Sequence, residues 1–141
     1  MCSSDLKDVG AAIVSVDEPR PATAWRWGGP SWRVQAGRAG MQRVRGMTLH
    51  APDPRALASR WAEVLGRPAP IDTGDCWRLV LTDGFADFRE SPGKGGTAAV
   101  TGFTLAVADP VAVRARAQAA GLAVDGLGFS LMGVALTLEP L

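Results

Sequence analysis

Few side chains in this sequence are suited to chemistry. His50 is the only histidine. Because imidazole changes its charge near neutral pH, this residue is a candidate catalytic acid or base, or a hydrogen-bonding group. The other interpretation is an ordinary surface histidine at the end of a strand. Cys76 has no lysine, histidine or second cysteine beside it, so we interpret it as structural. Neither residue belongs to a spacing motif, so the elements that position them must be considered.

Arginine and tryptophan alternate in the segment from Pro19 to Gly40, which is also rich in proline and glycine. Proline and Gly-Gly-Pro argue against a helix or a central strand there. Arginines beside Trp25, Trp27 and Trp32 could stack on bases and bind phosphates. They could equally form a connector whose rings seal one edge of the core under arginine stems. A net charge of +1 favours the connector and predicts no nucleic-acid partner.

The length and composition limit the number of domains and the class of protein. At 141 residues with 47% hydrophobic and 21% charged residues, the chain is one globular domain or two small halves sharing a core. No apolar run approaches the length of a membrane span. Two cysteines and the lack of a secretory signal favour a reducing compartment, so we expect a cytoplasmic protein.

The stretch from Val44 to Gly66 predicts a strand, a turn and a helix. Val44 to His50 has the length of one strand. In Asp53-Pro54 the aspartate can cap a helix, and proline suits the first helical turn. Gly66 stands where a left-handed C-terminal cap is expected. The apolar residues at helical spacing between them are Leu57, Trp61, Val64 and Leu65.

The same unit recurs from Thr101 to Gly121. Gly46-Met47-Thr48-Leu49 aligns with Gly102-Phe103-Thr104-Leu105, and Asp53-Pro54 with Asp109-Pro110. Because an internal repeat decides the architecture, we predict an α+β fold made of two β-α-β-β-β modules.

Further strand signals follow each helix, and Asp83-Gly84 is a hairpin turn signal between the first two. We therefore assign residues 42–92 to the first module and 98–141 to the second. The predicted later strands are Cys76–Thr82, Phe85–Glu90, Leu122–Asp125 and Phe129–Leu138.

The residues before the first module have a separate interpretation. Met1 to Leu6, MCSSDL, resembles the translation of a sequencing adaptor, which would make the chain a C-terminal fragment; the other interpretation is a polar leader. Val9 to Val16 predicts a short buried strand. It is followed by an acidic residue and proline, as in Glu139-Pro140. Residues 7–41 would then hold a remnant strand of an earlier module and the connector.

The two modules resemble the vicinal oxygen chelate superfamily, which includes glyoxalase I, bleomycin-resistance proteins and extradiol dioxygenases. The resemblance covers about residues 42–141. It implies two paired modules that form a concave, half-barrel-like mixed sheet with the helices outside. The superfamily hosts many activities, so the resemblance indicates fold more than function. The residues that carry it are Met47-Thr48-Leu49, Asp53-Pro54, Trp61 to Gly66, Gly102 to Leu105 and Asp109-Pro110.

The resemblance also implies a metal site. Enzymes of the superfamily hold a divalent ion (Zn, Ni, Mn or Fe) with a His or Gln near the start of each first strand and a Glu at the end of each last strand. The first-strand positions here are Gly46 and Gly102, which have no side chain to donate. Glu90 and Glu139 are the remaining metal-ligand candidates, and a solvated strand-end charge is the other interpretation of each.

The place of the first carboxylate depends on strand alignment. One alignment of the last strands makes Glu90 the counterpart of Glu139. The alignment that follows the apolar alternation makes Arg89 that counterpart instead. A slip of one residue moves every side chain to the other face, so the two alignments place Glu90 on opposite faces of the sheet, and the sequence leaves both open.

Gly46 and Gly102 favour a member of this superfamily that binds a small molecule in the concave pocket without a complete metal site. The alternative is a metal-dependent lyase, isomerase or dioxygenase that takes ligands partly from a second chain or from missing N-terminal residues. A third interpretation is an interaction module that docks a partner through the connector. A homodimer is left open. The predicted ligand-binding residues are Thr48, His50, Trp77, Arg89 and Thr104.

Overall fold

A computed structural model describes residues 3–6, 9–12, 14–17, 20, 29, 31, 41–93 and 96–141. The predicted connector, Pro19–Gly40, lies almost wholly outside the described residues, as do its three tryptophans. The elements are β1 (Ser3–Leu6), β2 (Val14–Asp17), β3 (Met41–Ala51), α1 (Pro54–Val64), β4 (Ile71–Asp72), β5 (Trp77–Val80), β6 (Phe85–Glu90), β7 (Ala99–Val107), α2 (Pro110–Ala119), β8 (Val124–Asp125), β9 (Gly128–Leu131) and β10 (Val134–Pro140).

Eight of these strands form one open, curled sheet in the order β4-β5-β6-β3-β7-β10-β9-β8. At its centre β3 and β7 are antiparallel, while β6 runs parallel to β3 and β10 runs parallel to β7. Each half therefore contains a strand, a helix and three further strands. The predicted α+β fold of two paired modules is confirmed.

Both helices begin and end in the same way. The side chains of Asp53 and Asp109 each accept a 2.9 Å hydrogen bond from the backbone N–H three residues further on. Such caps satisfy amides that have no partner inside the helix. Gly66 and Gly121 follow the helix ends at φ +61° and +79°. This left-handed conformation costs glycine little and lets the chain leave the helix sharply.

The main core lies between the sheet and α1. Leu49 of β3 and Phe88 of β6 are fully buried on the helix side of the sheet. The ring of Trp61 meets Phe88 edge-on, with centroids 5.6 Å apart and an interplanar angle of 72°. Ala58 and Ala62 are also buried on α1, and their small side chains let the helix approach the sheet closely. This packing fixes which face of the sheet is left for a site.

The N-terminal segment differs from its prediction. The predicted strand Val9–Val16 is a strand only from Val14 to Asp17, where it pairs with Ser3–Leu6 in an antiparallel two-stranded sheet. Val9 precedes it and is buried in the main core. Beside it, the indole N–H of Trp61 donates to the carbonyl of Gly10 at 3.2 Å. Residues 9–12 are thus packed on α1.

The two helices among the described residues have 11 and 10 residues, whereas a bilayer span needs about 20. The described part of the chain contains no helix long and apolar enough to cross a membrane.

Candidate ligand-binding face

The face of the sheet away from the helices carries most of the polar side chains of the central strands. Side chains alternate along a strand, so those between the buried core residues of β3 and β6 point to this second face. Leu138 is buried on the helix side of β10, so Glu139 points the other way. We call this surface the concave face. Among its residues are Arg43, Arg45, Gly46, Thr48, His50, Arg78, Phe85, Asp87, Arg89, Thr101, Gly102, Thr104 and Glu139.

A buried carboxylate holds one arginine rigidly on the concave face. Arg78 and Asp87 lie opposite each other on β5 and β6, and the guanidinium donates two 2.7 Å hydrogen bonds, from Nε to Oδ1 and from Nη2 to Oδ2. The side chain of Asp87 is only 7% exposed, against 39% for Arg78. The hydrogen bond to Asp87 raises the pKa of Arg78 above its ordinary value. The Arg78 guanidinium also lies over the ring of Phe85, 4.1 Å from its centroid.

A second ion pair joins the two modules. Arg45 of β3 donates from Nε to Glu139 Oε1 of β10 at 3.0 Å, and its Nη1 donates to the carbonyl of Asp83 at 3.3 Å. Both side chains of the pair are about one-third exposed, so solvent screens much of their attraction. Glu139 also helps to raise the pKa of Arg78, though less than Asp87 does. The carboxylate predicted as a metal ligand is therefore already engaged by an arginine.

Two glycines of the concave face have no room for a side chain. A β-carbon built on Gly46 would lie 2.3 Å from the ring of Phe85, and one built on Gly102 would lie 2.8 Å from the carbonyl oxygen of Ala135. Contacts under 3.0 Å require something to move. These are the two positions where the superfamily resemblance places metal-binding side chains.

His50 is held by a neighbouring hydroxyl. Its Nδ1 lies 2.8 Å from Thr101 Oγ1, and Thr101 Oγ1 can donate to the carbonyl of Thr48 at 3.4 Å. Thr101 lies beside a register irregularity between β3 and β7, which lets its side chain reach across. The Thr101 hydroxyl has one proton. If it donates to Nδ1 of His50, Nε2–H is the donor that a ligand can meet. If it donates to Thr48, Nδ1–H donates to Thr101 and Nε2 is an acceptor.

Strand pairing chooses between the two alignments of the last strands. Gly46 pairs with Phe85 and His50 with Arg89 in the first module. In the second module, Gly102 pairs with Ala135. Four residues further along β7, Ala106 pairs with Glu139. Arg89 is therefore the structural counterpart of Glu139, as the apolar alternation predicts. Glu90 is the counterpart of Pro140.

Four of the five predicted ligand-binding residues share the concave face: Thr48, His50, Arg89 and Thr104. Trp77 does not. It pairs with Phe88, packs against the helix-side core, and lies under Arg55 of α1, whose guanidinium carbon is 5.0 Å from the ring centroid. Side chains alternate along β5, so Trp77 points to the face opposite Arg78 and cannot contact a ligand on the concave face.

Glu90 also lies away from the concave face. It alternates with Arg89 and borders a small cavity beside Trp77 and the start of α1 at Pro54. Glu139 is on the opposite face and three strand spacings away in the sheet order, so the two carboxylates do not converge. Among the described residues, no three His, Cys, Asp or Glu side chains gather to hold a metal ion. The residues present do not fit the implied metal set.

The concave face also contains residues that the sequence did not single out: Arg45, Arg78, Phe85, Asp87 and Thr101. One signal for Arg78 and Asp87 was available, because opposite charges facing each other across a hairpin stabilise it. Arg45 and Thr101 lie at irregularities between β3 and β7, and no periodic pattern places them.

Comparison with known proteins supports the architecture. No protein-family model matches the chain, and no curated protein does. Methylmalonyl-CoA epimerase from Mycobacterium tuberculosis superposes with a TM-score of 0.53 at 10% identity, covering 72% of this chain and 89% of the epimerase. The chain therefore shares its overall fold with this epimerase.

Two further solved structures are more distant in shape. A hypothetical protein from Staphylococcus aureus gives a TM-score of 0.49 at 13% identity, covering 70% of this chain and 33% of that protein. This chain thus spans about one third of the length of the Staphylococcus aureus protein. The oxidase ChaP-H1 gives 0.35 at 21% identity, covering 68% of this chain and 93% of the oxidase. Neither similarity indicates a function for this chain.

Proposed function

We propose that the chain is a member of the vicinal oxygen chelate superfamily that binds a small molecule on its concave face without a metal ion held by protein side chains. The observation that carries this proposal is the contact between Phe85 and Gly46. The ring fills the space that a metal-binding side chain at position 46 would need. The guanidinium of Arg78 also lies over this ring, 4.1 Å from its centroid.

The other implied ligand positions support the same conclusion. A side chain at Gly102 would meet the backbone of β10, which cannot rotate away as a side chain can. Glu139 is paired with Arg45, and a carboxylate that binds a metal through the same oxygen would have to give up this ion pair. The face offers hydroxyl, imidazole and guanidinium groups instead, which suit hydrogen bonding to an organic ligand.

Metal content tests the proposal. The purified chain is loaded with Zn, Ni, Mn or Fe(II), passed through a desalting column and measured beside Glu139→Gln and Glu90→Gln variants. We expect all three proteins to retain equally little metal, far below one ion per chain. Near-stoichiometric metal that disappears in Glu139→Gln alone would contradict the proposal and favour the lyase, isomerase or dioxygenase alternative.

A thermal-shift screen tests binding directly. Small organic compounds that stabilise the wild-type chain are measured again on Thr48→Val and on Ser59→Ala. Thr48 lies on the concave face, whereas Ser59 is exposed on α1. We expect stabilisation by true ligands to fall in Thr48→Val and to persist in Ser59→Ala. Equal loss or equal persistence in both would place the binding elsewhere.

A further inference from the structure

The arginines of the concave face are not equivalent. Arg45 is paired with Glu139, and Arg78 with Asp87. Arg89 is half-buried, yet it has no hydrogen-bonding or ion-pair partner among the described residues. A partly desolvated cation without a counter-charge is unfavourable until an anion joins it. The two ion pairs cancel, and Arg43 is exposed at the other end of β3, so Arg89 is the half-buried cation of this face that lacks a counter-charge.

His50 stands directly beside this cation. The parallel strands β3 and β6 pair His50 with Arg89, so the two side chains start from neighbouring positions on one face, about 4.8 Å apart. The contact with Thr101 holds the imidazole through Nδ1. When the Thr101 hydroxyl donates to Nδ1, the proton of the imidazole is on Nε2, and Nε2–H can donate to the anion that Arg89 binds.

A planar cation lies further along the same surface. Arg78 pairs with Asp87, two residues before Arg89 on β6, which is about 7 Å along the strand. Its guanidinium is fixed by Asp87 below and by the Phe85 ring on one side. Since this side chain is 39% exposed, its outer side is open to a flat group, and guanidinium planes stack well on aromatic rings.

We infer, building on the proposed binding function, that the concave face recognises an aromatic carboxylic acid. Arg89 and His50 bind the carboxylate, and the aromatic ring stacks on the guanidinium of Arg78, whose backbone lies one strand across and two residues along from Arg89, about 8 Å away. Thr48 lies two residues before His50 on the same face of β3, across β6 from Arg78, so its hydroxyl can contact the carboxylate end of the ligand. An arylalkanoic acid with a chain of three or four carbons has the matching length.

The probe for this inference is 4-phenylbutyrate, compared with its neutral amide, 4-phenylbutyramide. Both are titrated into isotopically labelled chain and followed by backbone NMR shifts. We expect 4-phenylbutyrate to shift Thr48, Arg89 and Thr101, and to bind about tenfold more tightly than the amide, because charge-assisted hydrogen bonds discriminate by that order. Replacing the ring by cyclohexane, as 4-cyclohexylbutyrate, should weaken binding about threefold, since the stacking contact is lost.

The variant Arg89→Gln isolates the carboxylate contact. We expect it to bind acid and amide equally, at the affinity of the amide for wild type. Arg116→Gln removes the same charge from the exposed surface of α2 and should leave both affinities unchanged. Unchanged dispersion of the amide spectrum confirms that each variant is folded.

Three results would overturn the inference. Acid binding as tight in Arg89→Gln as in wild type removes Arg89 from the site. Equal binding of acid and amide by wild type, with shifts on the concave face, removes the carboxylate preference but leaves the proposed function intact. No saturable shift with 4-phenylbutyrate rejects the aromatic acid, while the metal and thermal-shift experiments still decide the proposed function separately.

Discussion

The ring of Phe85 lies over the backbone of Gly46, close enough that a β-carbon at position 46 would sit 2.3 Å from the ring. The two residues are paired in register on β3 and β6, so the contact is set by the sheet itself. An aromatic residue and a glycine have thus taken the space where the resemblance implies a histidine or glutamine.

Gly46→Ala should destabilise the fold by about 1–3 kcal/mol, the usual cost of overpacking. Gly84→Ala should cost more, because its β-carbon would lie 2.2 Å from the backbone carbonyl of Arg45 rather than from the tip of a side chain. Urea denaturation measures both. In a Phe85→Ala background the cost of Gly46→Ala should largely vanish while that of Gly84→Ala persists. Equal costs of Gly46→Ala in both backgrounds would mean that the ring does not fill this space.

Asp87→Asn should lower the free energy of unfolding by about 1–3 kcal/mol, because it leaves Arg78 without its charged partner. Asp125→Asn, an exposed aspartate on β8, should change it by less than about 0.5 kcal/mol. Denaturant titrations of the two variants give the comparison. Equal effects would show that the buried pair contributes no more than a surface charge.

The same pair predicts how stability responds to alkaline pH. The folded pKa of Arg78 is raised, so the stabilisation that it contributes is complete below the unfolded pKa of arginine and is lost only as pH rises through the still higher folded pKa. The destabilisation caused by Asp87→Asn should therefore be the same at pH 7 and pH 9. Unfolding midpoints at the two pH values test this, and a destabilisation that shrinks between them would contradict it.

Removing either helix cap should cost about 1 kcal/mol. Asp53→Ala and Asp109→Ala each remove one side-chain acceptor of a backbone N–H. The caps belong to different helices, so their effects should add in the double variant. Asp75→Ala is the control, because this exposed side chain makes no hydrogen bond to any described residue. Calorimetric unfolding should separate the two caps from the control.

Trp61→Phe should loosen the N-terminal segment as well as the core. The variant keeps an aromatic ring beside Phe88 but loses the indole N–H that donates to Gly10. We expect about 1–3 kcal/mol of destabilisation and faster amide hydrogen exchange at residues 9–12. Trp77→Phe serves as the control, since Trp77 makes no hydrogen bond to that segment. Exchange at residues 9–12 that rises equally in both would reflect global unfolding alone.

Local signals were sufficient for much of the architecture. The two Asp-Pro pairs and the glycines after each helix act within a few residues of themselves, so the helices begin and end where their sequence predicts. Alternation was equally informative for β6, because Phe88 needs a buried position and this places Arg89 on the other face. The strand predicted from Val9 to Val16 was too long. Val9 is apolar because it is buried against α1, and an apolar run gives the same signal as a buried strand.

The hairpin between β5 and β6 shows where local signals fail. The sequence favours a turn at Asp83-Gly84, which would set Arg78 opposite Arg89. The structure places the turn one residue earlier, with Leu81 N–H donating to the carbonyl of Gly84, so that Arg78 faces Asp87. This register brings opposite charges face to face across the hairpin, an arrangement that stabilises a strand pair. Either pairing leaves Trp77 on the helix side, because Phe88 and Glu90 lie on the same face of β6.

The outermost strands of the eight-stranded sheet, β4 and β8, have two residues each. A sheet edge is a template on which another chain can add a strand, and its length sets how many backbone hydrogen bonds an intruder can make. β4 and β8 themselves each offer at most a pair of such bonds, which is too few to offset the entropy of ordering a new strand. The shortness of these strands thus acts as protection against edge-to-edge aggregation, and lengthening either one would remove it.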